Sequence, residues 1–256
     1  MKFASRVLLL ASVVLALTAP ATHAAPVFSE HVTGGQLDLV WIPGFFTPQR
    51  QLQPLTLDPG HPAYSNPSGD HTVAEAINTV PDSGGIIMAM LDPGAISDYS
   101  WETWMFTGDG NTRRGIVFRG DPSAGFTVAY QFVVESGLAT VRLRKLSGQG
   151  ATNLVTWFLP TTAPFNAPLP TNTWAHFKVN ATGNQIRCWL NHVELTSTGP
   201  YVDATAPLLT GWAGLYNFRF DLGLVPVYFD DAILSVEDGP TPAAHATWGA
   251  IKARYR

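Results

Sequence analysis

The sequence predicts an all-β protein, an antiparallel sandwich or barrel, and three observations carry that expectation. The chain of 256 residues holds 23 glycines and 20 prolines, residues that break helices. Aromatic residues make up 11%, eight of them Trp, and these suit pleated, half-buried surfaces. Short apolar or alternating runs follow one another with turn residues between them, and no long window keeps a 3.6-residue period before the last dozen residues. This mix excludes a coiled coil or a helical bundle. Charged residues are only 13%, about half of the ~25% of an average domain, so apolar material for a core is ample and disorder is excluded. The formal charge is −4 and the basic residues form no dense patch, so the footprint of a nucleic-acid binder is missing.

The first 24 residues read as a secretory signal peptide. Lys2 and Arg6 form a basic start, Val7 to Leu17 an apolar run, and Thr22-His23-Ala24 a cleavage site after Ala24. The apolar run is shorter than the ~20 residues a spanning helix needs, and no other stretch is long and apolar enough. The expected location is therefore outside the cytoplasm: periplasmic, extracellular or at the cell surface. Removing the segment takes two positive charges with it and leaves a more acidic chain without attraction to an anionic membrane. Cys188 is the only cysteine, so no internal disulfide can form. It alternates with polar neighbours in Ile186-Arg187-Cys188-Trp189-Leu190 and reads as a buried apolar thiol.

Gln36 to Ile42 is the first expected strand, ended by Pro43-Gly44, and residues 47–71 read as a long loop rich in Pro, Gly, Ser, Asn and Asp. Strands are then expected at Val73–Asn78, Ile86–Leu91, Ser100–Thr107, Gly115–Arg119, Phe126–Glu135, Thr140–Lys145 and Leu154–Phe158. A second loop spans Pro160–Asn172, before strands at Trp174–Asn180, Gln185–Leu190, Gly214–Phe220 and Val227–Val236. Ser136-Gly137, Ser147-Gly148 and Thr182-Gly183-Asn184 carry turn chemistry, and Asn180 to Asn184 between two alternating runs is a hairpin signal. Residues 25–238 read as one domain. Gly239-Pro240-Thr241-Pro242 is a hinge before a short basic tail, so 239–256 is expected to be a mobile terminus.

Several of these runs match a known pattern in order and spacing: Gly115-Ile116-Val117-Phe118-Arg119, Tyr130, Val141-Arg142-Leu143-Arg144-Lys145, Trp174 to Val179, Gly183 to Asn191, Gly211-Trp212-Ala213-Gly214-Leu215-Tyr216 and Phe229-Asp230-Asp231-Ala232-Ile233. Over roughly residues 99–236 the chain resembles the concanavalin A-like (laminin-G-like) jelly-roll superfamily of bacterial exported proteins. The resemblance implies a jelly-roll β-sandwich with one concave sheet whose outer face binds glycans. It fixes function weakly, because the fold hosts lectins, glycanases, lyases and inert spacers.

Alternation puts Phe118, Phe177, Val179, Ile186, Cys188 and Leu190 towards the core and Arg119, Arg142, Arg144, Lys178, Arg187 and Trp189 on opposite faces. Arginine offers a planar fork of donors to hydroxyls and carboxylates, and Trp stacks on a pyranose. The expected glycan contacts are Arg113, Arg114, Arg119, Tyr130, Arg142, Trp189 and Arg219, the first two fed by the small polar loop that begins at Gly108. No Glu is followed two residues later by Asp, so the paired carboxylates of retaining glycanases are not written on one strand. Glu102 and Glu135 read as sheet carboxylates, with a cross-strand pair as the alternative. The sequence has no G-x-S-x-G, no H-E-x-x-H and no histidine cluster, and Asp70-His71 reads as a turn. No catalytic residue is therefore assigned. The resemblance further implies one structural calcium pinning the terminal strands, with Glu30 and Asp38 near the start and Asp230 and Asp231 near the end as ligands. The expectation for function is a glycan-binding module whose partner is a polysaccharide. The alternatives are a glycoside hydrolase or polysaccharide lyase of the same superfamily, and a structural or adhesion spacer.

Overall fold

The computed structural model describes residues 25–39, 41–43, 50–78, 84–89, 97–125, 127–148, 150–219 and 226–236. Residues 1–24, expected to be a signal peptide, and the expected tail 239–256 lie outside them. The strands in chain order are β1 (Ala25–Glu30), β2 (Trp41–Pro43), β3 (Arg50–Thr56), β4 (Thr72–Asn78), β5 (Gly84–Ala89), β6 (Tyr99–Phe106), β7 (Thr112–Gly120) and β8 (Ala129–Val134). Then come β9 (Thr140–Ser147), β10 (Gly150–Phe158), β11 (Trp174–Thr182), β12 (Gln185–Leu190), β13 (Val193–Glu194), β14 (Tyr201–Val202), β15 (Trp212–Arg219) and β16 (Val227–Val236). Two 3-10 turns, Thr33–Gly35 and Leu159–Thr161, are the helical elements among the described residues. None of those residues forms a helix long and apolar enough to cross a membrane.

The strands form two antiparallel sheets. The nine-stranded sheet runs β13-β12-β11-β6-β16-β4-β3, with β1 added beside β16 and β14 beside β12. The seven-stranded sheet runs β10-β9-β8-β7-β15-β5-β2. Their inner faces meet over one core in which Trp101, Phe118, Tyr130, Phe132, Phe177 and Phe229 are buried. Each large apolar side chain removed from water there contributes roughly 1.5–3 kcal/mol.

The strands expected from residue 73 onward are present; several run one to four residues longer than the apolar run alone suggested, and the one expected over Phe126–Glu135 spans only Ala129–Val134. The Gly183 turn does join β11 to β12, with Gly183 at φ 55. Cys188 is fully buried and free, and burial pushes its thiol well above its ordinary value. Two expectations need correction. Residues 50–56 are not loop: β3 pairs with β4 from Arg50↔Asn78 to Thr56↔Thr72. Pro54 lies in it without harm because β3 ends its sheet, so one side of its backbone needs no partner. The strand expected over 36–42 shrinks to Trp41–Pro43, and the chain enters instead through β1, which pairs with β16 from Ala25↔Val236 to Glu30↔Ala232.

Candidate functional site on the outer face of the seven-stranded sheet

The middle of the seven-stranded sheet pairs without a break in register. β7 meets β8 from Arg114↔Val134 to Phe118↔Tyr130, and β8 meets β9 from Ala129↔Leu146 to Val134↔Val141. Side chains on directly paired positions share a face, so each row across the ladder can be read off. Ile116, Phe132 and Leu143 point into the core. The alternate row carries Val117, Gln131, Arg144 and Asn153, and the next carries Tyr216, Gly115, Val133, Arg142 and Thr156. Arg113 stands beside Phe218 at the end of β7, with its guanidinium 5.8 Å from that ring. Val117, Ala129, Val133, Trp212 and Tyr216 form a small apolar floor separate from the core.

On this floor sit three arginines and one carboxylate. Glu135 accepts from Arg113 Nε at 2.5 Å through Oε2 and from Arg142 at 3.0 Å through Oε1. Burial works against the charge of Arg113, but Tyr216 and Glu135 more than offset it and raise its pKa. Arg144 lies across from Gln131; its Nε and Nη1 are buried without a hydrogen-bond partner, and the pull of Tyr216 and Glu135 does not offset its burial. Burial first, then the like charges of Arg113 and Arg142, lower its pKa. Arg142 Nε and Gln131 Oε1 are also buried and unpartnered, and Gln131 is only 2% exposed. Phe158, half exposed at the edge in β10, pairs with Thr140 and so shares this face. Arg144, Gln131, Tyr216 and Phe158 were not among the expected contacts. The alternation Val141-Arg142-Leu143-Arg144 already placed Arg142 and Arg144 together, whereas the orphaned donors of Arg144 needed the fold.

The other expected contacts divide. Arg114 is 2% exposed and donates to the Phe106 and Thr112 carbonyls, so it ties β7 to β6 rather than facing solvent. Arg119 is 1% exposed, because at φ 51 it leaves the alternation that Phe118 obeys. Its Nη1 donates to the Gly183 and Leu208 carbonyls and its Nη2 to the Ser97 carbonyl at 2.9 Å. Tyr130 is fully buried, stacks on Phe118, donates to Asp203 and accepts from Leu208 N–H at 3.0 Å. These three residues hold the sandwich together and are not surface contacts. Trp189 does face outward, but from the nine-stranded sheet, across from Lys178. The side chain of Arg219, the last residue of β15, lies outside the described residues. The loop from Gly108 to Asn111 is pinned by Gly137 N–H on Gly110 and Asn172 N–H on Gly108.

Glu102 and Glu135 do not pair, since β6 belongs to the nine-stranded sheet and Glu135 follows β8 of the other. Glu102 Oε2 instead holds His176 Nε2 at 3.3 Å and Lys178 Nζ at 3.2 Å. Burial raises its pKa, and these partners outweigh that and lower it. His176 also stacks on His192, with centroids 4.4 Å apart, beside Trp104. Asp70 accepts from Thr72 N–H and Ser68, the turn expected of that pair.

The four expected calcium ligands do not converge. Both oxygens of Glu30 are filled by four donors: Val32, Asp38 and Leu39 N–H and Trp41 Nε1, at 2.9 to 3.0 Å. Asp38 Oδ2 accepts from His31 N–H and Thr33, and Asp231 pairs with His31 at 2.6 Å. Asp230 turns elsewhere: its Oδ2 accepts from Asn66 and Ser68 and its Oδ1 has no partner. The bulge between Asp230 and Ile233, with Asp231 at φ 48, separates the two aspartates. A cation at Glu30 would have to displace N–H donors, so this set does not fit calcium. No group of three or more His, Cys, Asp or Glu among the described residues is arranged to hold a metal ion.

No family model matches the chain, and no curated protein matches it in sequence. Solved structures do match in shape. A Bacillus licheniformis β-glucanase superposes with a TM-score of 0.50 at 9% identity, covering 84% of this chain and 100% of that one. A structure reported with endo-acting O-glycanases expressed by prominent members of the human gut microbiota, which initiate mucin breakdown, gives 0.50 at 11% identity over 84% and 100%. The carbohydrate-binding module CBM66 of Bacillus subtilis gives 0.49 at 17% identity over 63% and 86%. At such identities the first two likenesses speak for the fold alone. Together with two antiparallel sheets stacked over one core, they show that this chain has the concanavalin A-like jelly-roll fold.

Proposed function

We propose that the protein is an exported glycan-binding module that holds a polysaccharide on the outer face of its seven-stranded sheet. The observation that carries this reading is the set of buried, unpartnered guanidinium nitrogens of Arg144 and Arg142 beside Gln131, above an apolar floor and within one unbroken ladder. Sugars need such a mixture: planar donors and acceptors for hydroxyls, and apolar surface for the ring faces. Phe158, half exposed, supplies aromatic surface on the same side, and buried Tyr216 packs into the floor beneath. Regular strands hold these side chains more rigidly than loops would. Residues 25–238 would form the binding domain, preceded by a cleaved signal and followed by a short tail.

Binding is favoured over hydrolysis because Glu135 is the one carboxylate among the described positions of this face, and it is engaged by two arginines. Glycoside hydrolysis needs two carboxyl groups roughly 5–10 Å apart across the scissile bond. The test is a polysaccharide panel of neutral and acidic members, with binding followed by calorimetry and by retention on immobilised glycan. Reducing ends and unsaturated uronates are measured in the same mixtures. Saturable binding without new ends is expected. Robust turnover would replace the binding reading with an enzyme, and silence across the panel would leave a spacer.

A further inference from the structure

We infer that this face selects an acidic sugar, whose carboxylate or sulfate seats on the guanidiniums of Arg144 and Arg142; the inference rests on the glycan-binding reading. Among the described residues of the floor, no carboxylate is hydrogen-bonded to Arg144. Arg113, Arg142 and Arg144 bring three positive charges, and Glu135, the one carboxylate among the described positions there, is shared by Arg113 and Arg142. Arg144 keeps two buried N–H-bearing nitrogens without an acceptor, and Arg142 keeps one. A buried cation needs both hydrogen-bond acceptors and an opposite charge. The hydroxyls of a neutral sugar supply acceptors only. An anionic group supplies both, and a planar carboxylate or a sulfate matches the guanidinium fork.

Gln131 extends the argument. It lies directly across from Arg144, and its buried Oε1 accepts nothing from the protein. A hydroxyl next to the acidic group would donate to it, so a sugar acid fits this pair better than a lone inorganic anion. The attraction is local, since the whole chain carries a formal charge of −4. Unspecific adhesion to an acidic polymer therefore does not account for such selectivity.

The experiment compares three probes at about 150 mM salt, where long-range attraction is screened within ~8 Å. They are polygalacturonate, the same polymer with its carboxyl groups reduced to alcohols, and a sulfated galactan. The full protein is titrated with each, alongside Arg144→Gln and Arg144→Lys, with thermal melts confirming that both variants fold. An acidic polymer is expected to bind at least about tenfold tighter than the reduced one, the size of one charge-assisted hydrogen bond. Arg144→Gln should abolish that preference, and Arg144→Lys should keep only part of it. Preference for polygalacturonate names a carboxylate as the anion, and preference for the galactan names a sulfate. Equal affinity for the acidic and the reduced polymer would overturn the inference and leave glycan binding standing. Binding to none of the probes, nor to any member of the wider panel, would remove both. Because the comparison of probes uses the unaltered protein, a variant that fails to fold does not blunt it.

Discussion

Replacing Arg119 by Met tests whether the G-x-x-F-R strand end is scaffold or binding surface. The side chain is fully buried, and its two terminal nitrogens reach three backbone carbonyls, of Gly183, Leu208 and Ser97, on three separate segments. Its contact with half-exposed Asp98 at 3.4 Å adds little. A hydrogen bond from a charged donor contributes about 1.5–3 kcal/mol, and a buried carbonyl left without a donor costs about 1–3. The segments bearing Gly183 and Leu208 lie at the rim and can partly rehydrate, which favours the lower half of the range. The expected loss is then about 3–5 kcal/mol, allowing for that rehydration. In a domain of this size each kcal/mol moves Tm by about 2–4 °C, so the midpoint should fall by roughly 6–20 °C. Arg119→Lys keeps the charge but not the fork, and should fall between wild type and Arg119→Met. Urea unfolding followed by tryptophan fluorescence gives the free energy, and calorimetry the midpoint. A loss under about 1 kcal/mol, as for an ordinary surface change, would refute the clamp. So would a variant that melts normally but loses glycan binding, since that would return Arg119 to the binding surface.

Four further outcomes are expected. Burial raises the Asp230 carboxyl to about 6 from an ordinary 3.8, so its neutral form is favoured in the fold. The associated stability, on the order of 3 kcal/mol, is complete below about pH 3.8 and is lost as pH rises through 6. Asp230→Asn should therefore melt above wild type at pH 7.5 and match it near pH 4; a lower midpoint at both would sink the account. Gly115→Ala should destabilise by more than about 3 kcal/mol, because its Cβ would meet the Phe132 carbonyl oxygen at 2.2 Å and Val133 Cα at 2.7 Å, atoms of a strand that cannot yield; a urea midpoint like wild type's would contradict this. Glu135→Gln removes the charge shared by two arginines, so it should lower Tm while tightening binding of an acidic polymer; a fall in both would tie Glu135 to the ligand instead. Tyr130→Phe strands buried Asp203 and the Leu208 N–H and should cost about 1–3 kcal/mol by urea titration with no change in glycan affinity.

The two-residue period made most of the sandwich legible. Gln185 to Leu190 and Val227 to Val236 are strands to the residue; in the first the buried positions alternate without interruption, and the second resumes its alternation after the bulge at Asp230 and Asp231. The strand over 50–56 was hidden because Gln, Pro and Thr at a sheet edge look like loop residues, and its identity comes from pairing with β4 rather than from its own composition. β1 was equally silent, being a short run whose partner lies some two hundred residues away. The expected calcium ligands failed for a related reason. Carboxylates near both chain ends suggest a cation, but whether N–H donors have already filled them depends on how the 3-10 turn at Thr33–Gly35 folds back over Glu30, which spacing does not encode.

The fate of the arginines follows from one property of the ladder. From Arg113 to Phe118 in β7, and throughout the β8–β9 pair, register is unbroken, so alternation assigns each side chain to a face and assigns it correctly for Arg113, Arg142 and Arg144. Beyond Phe118 the pairing of β7 with β15 shifts between Trp212 and Gly214, where Gly211 at φ 137 would bring a Cβ within 2.5 Å of the Arg119 carbonyl carbon. That bulge inverts the parity, and Arg119, outward by count, becomes an internal strut. The same tight stretch closes the rim beneath which Tyr130 and Asp203 are buried. A jelly roll thus spends its arginines in two ways: Arg114 and Arg119 turn inward as ties for backbone carbonyls, and Arg142 and Arg144 stand on the outer row with buried nitrogens left unpartnered. Only the second kind can meet a ligand without unfolding the rim, so the search for this protein's specificity belongs on the shift-free ladder around Arg144.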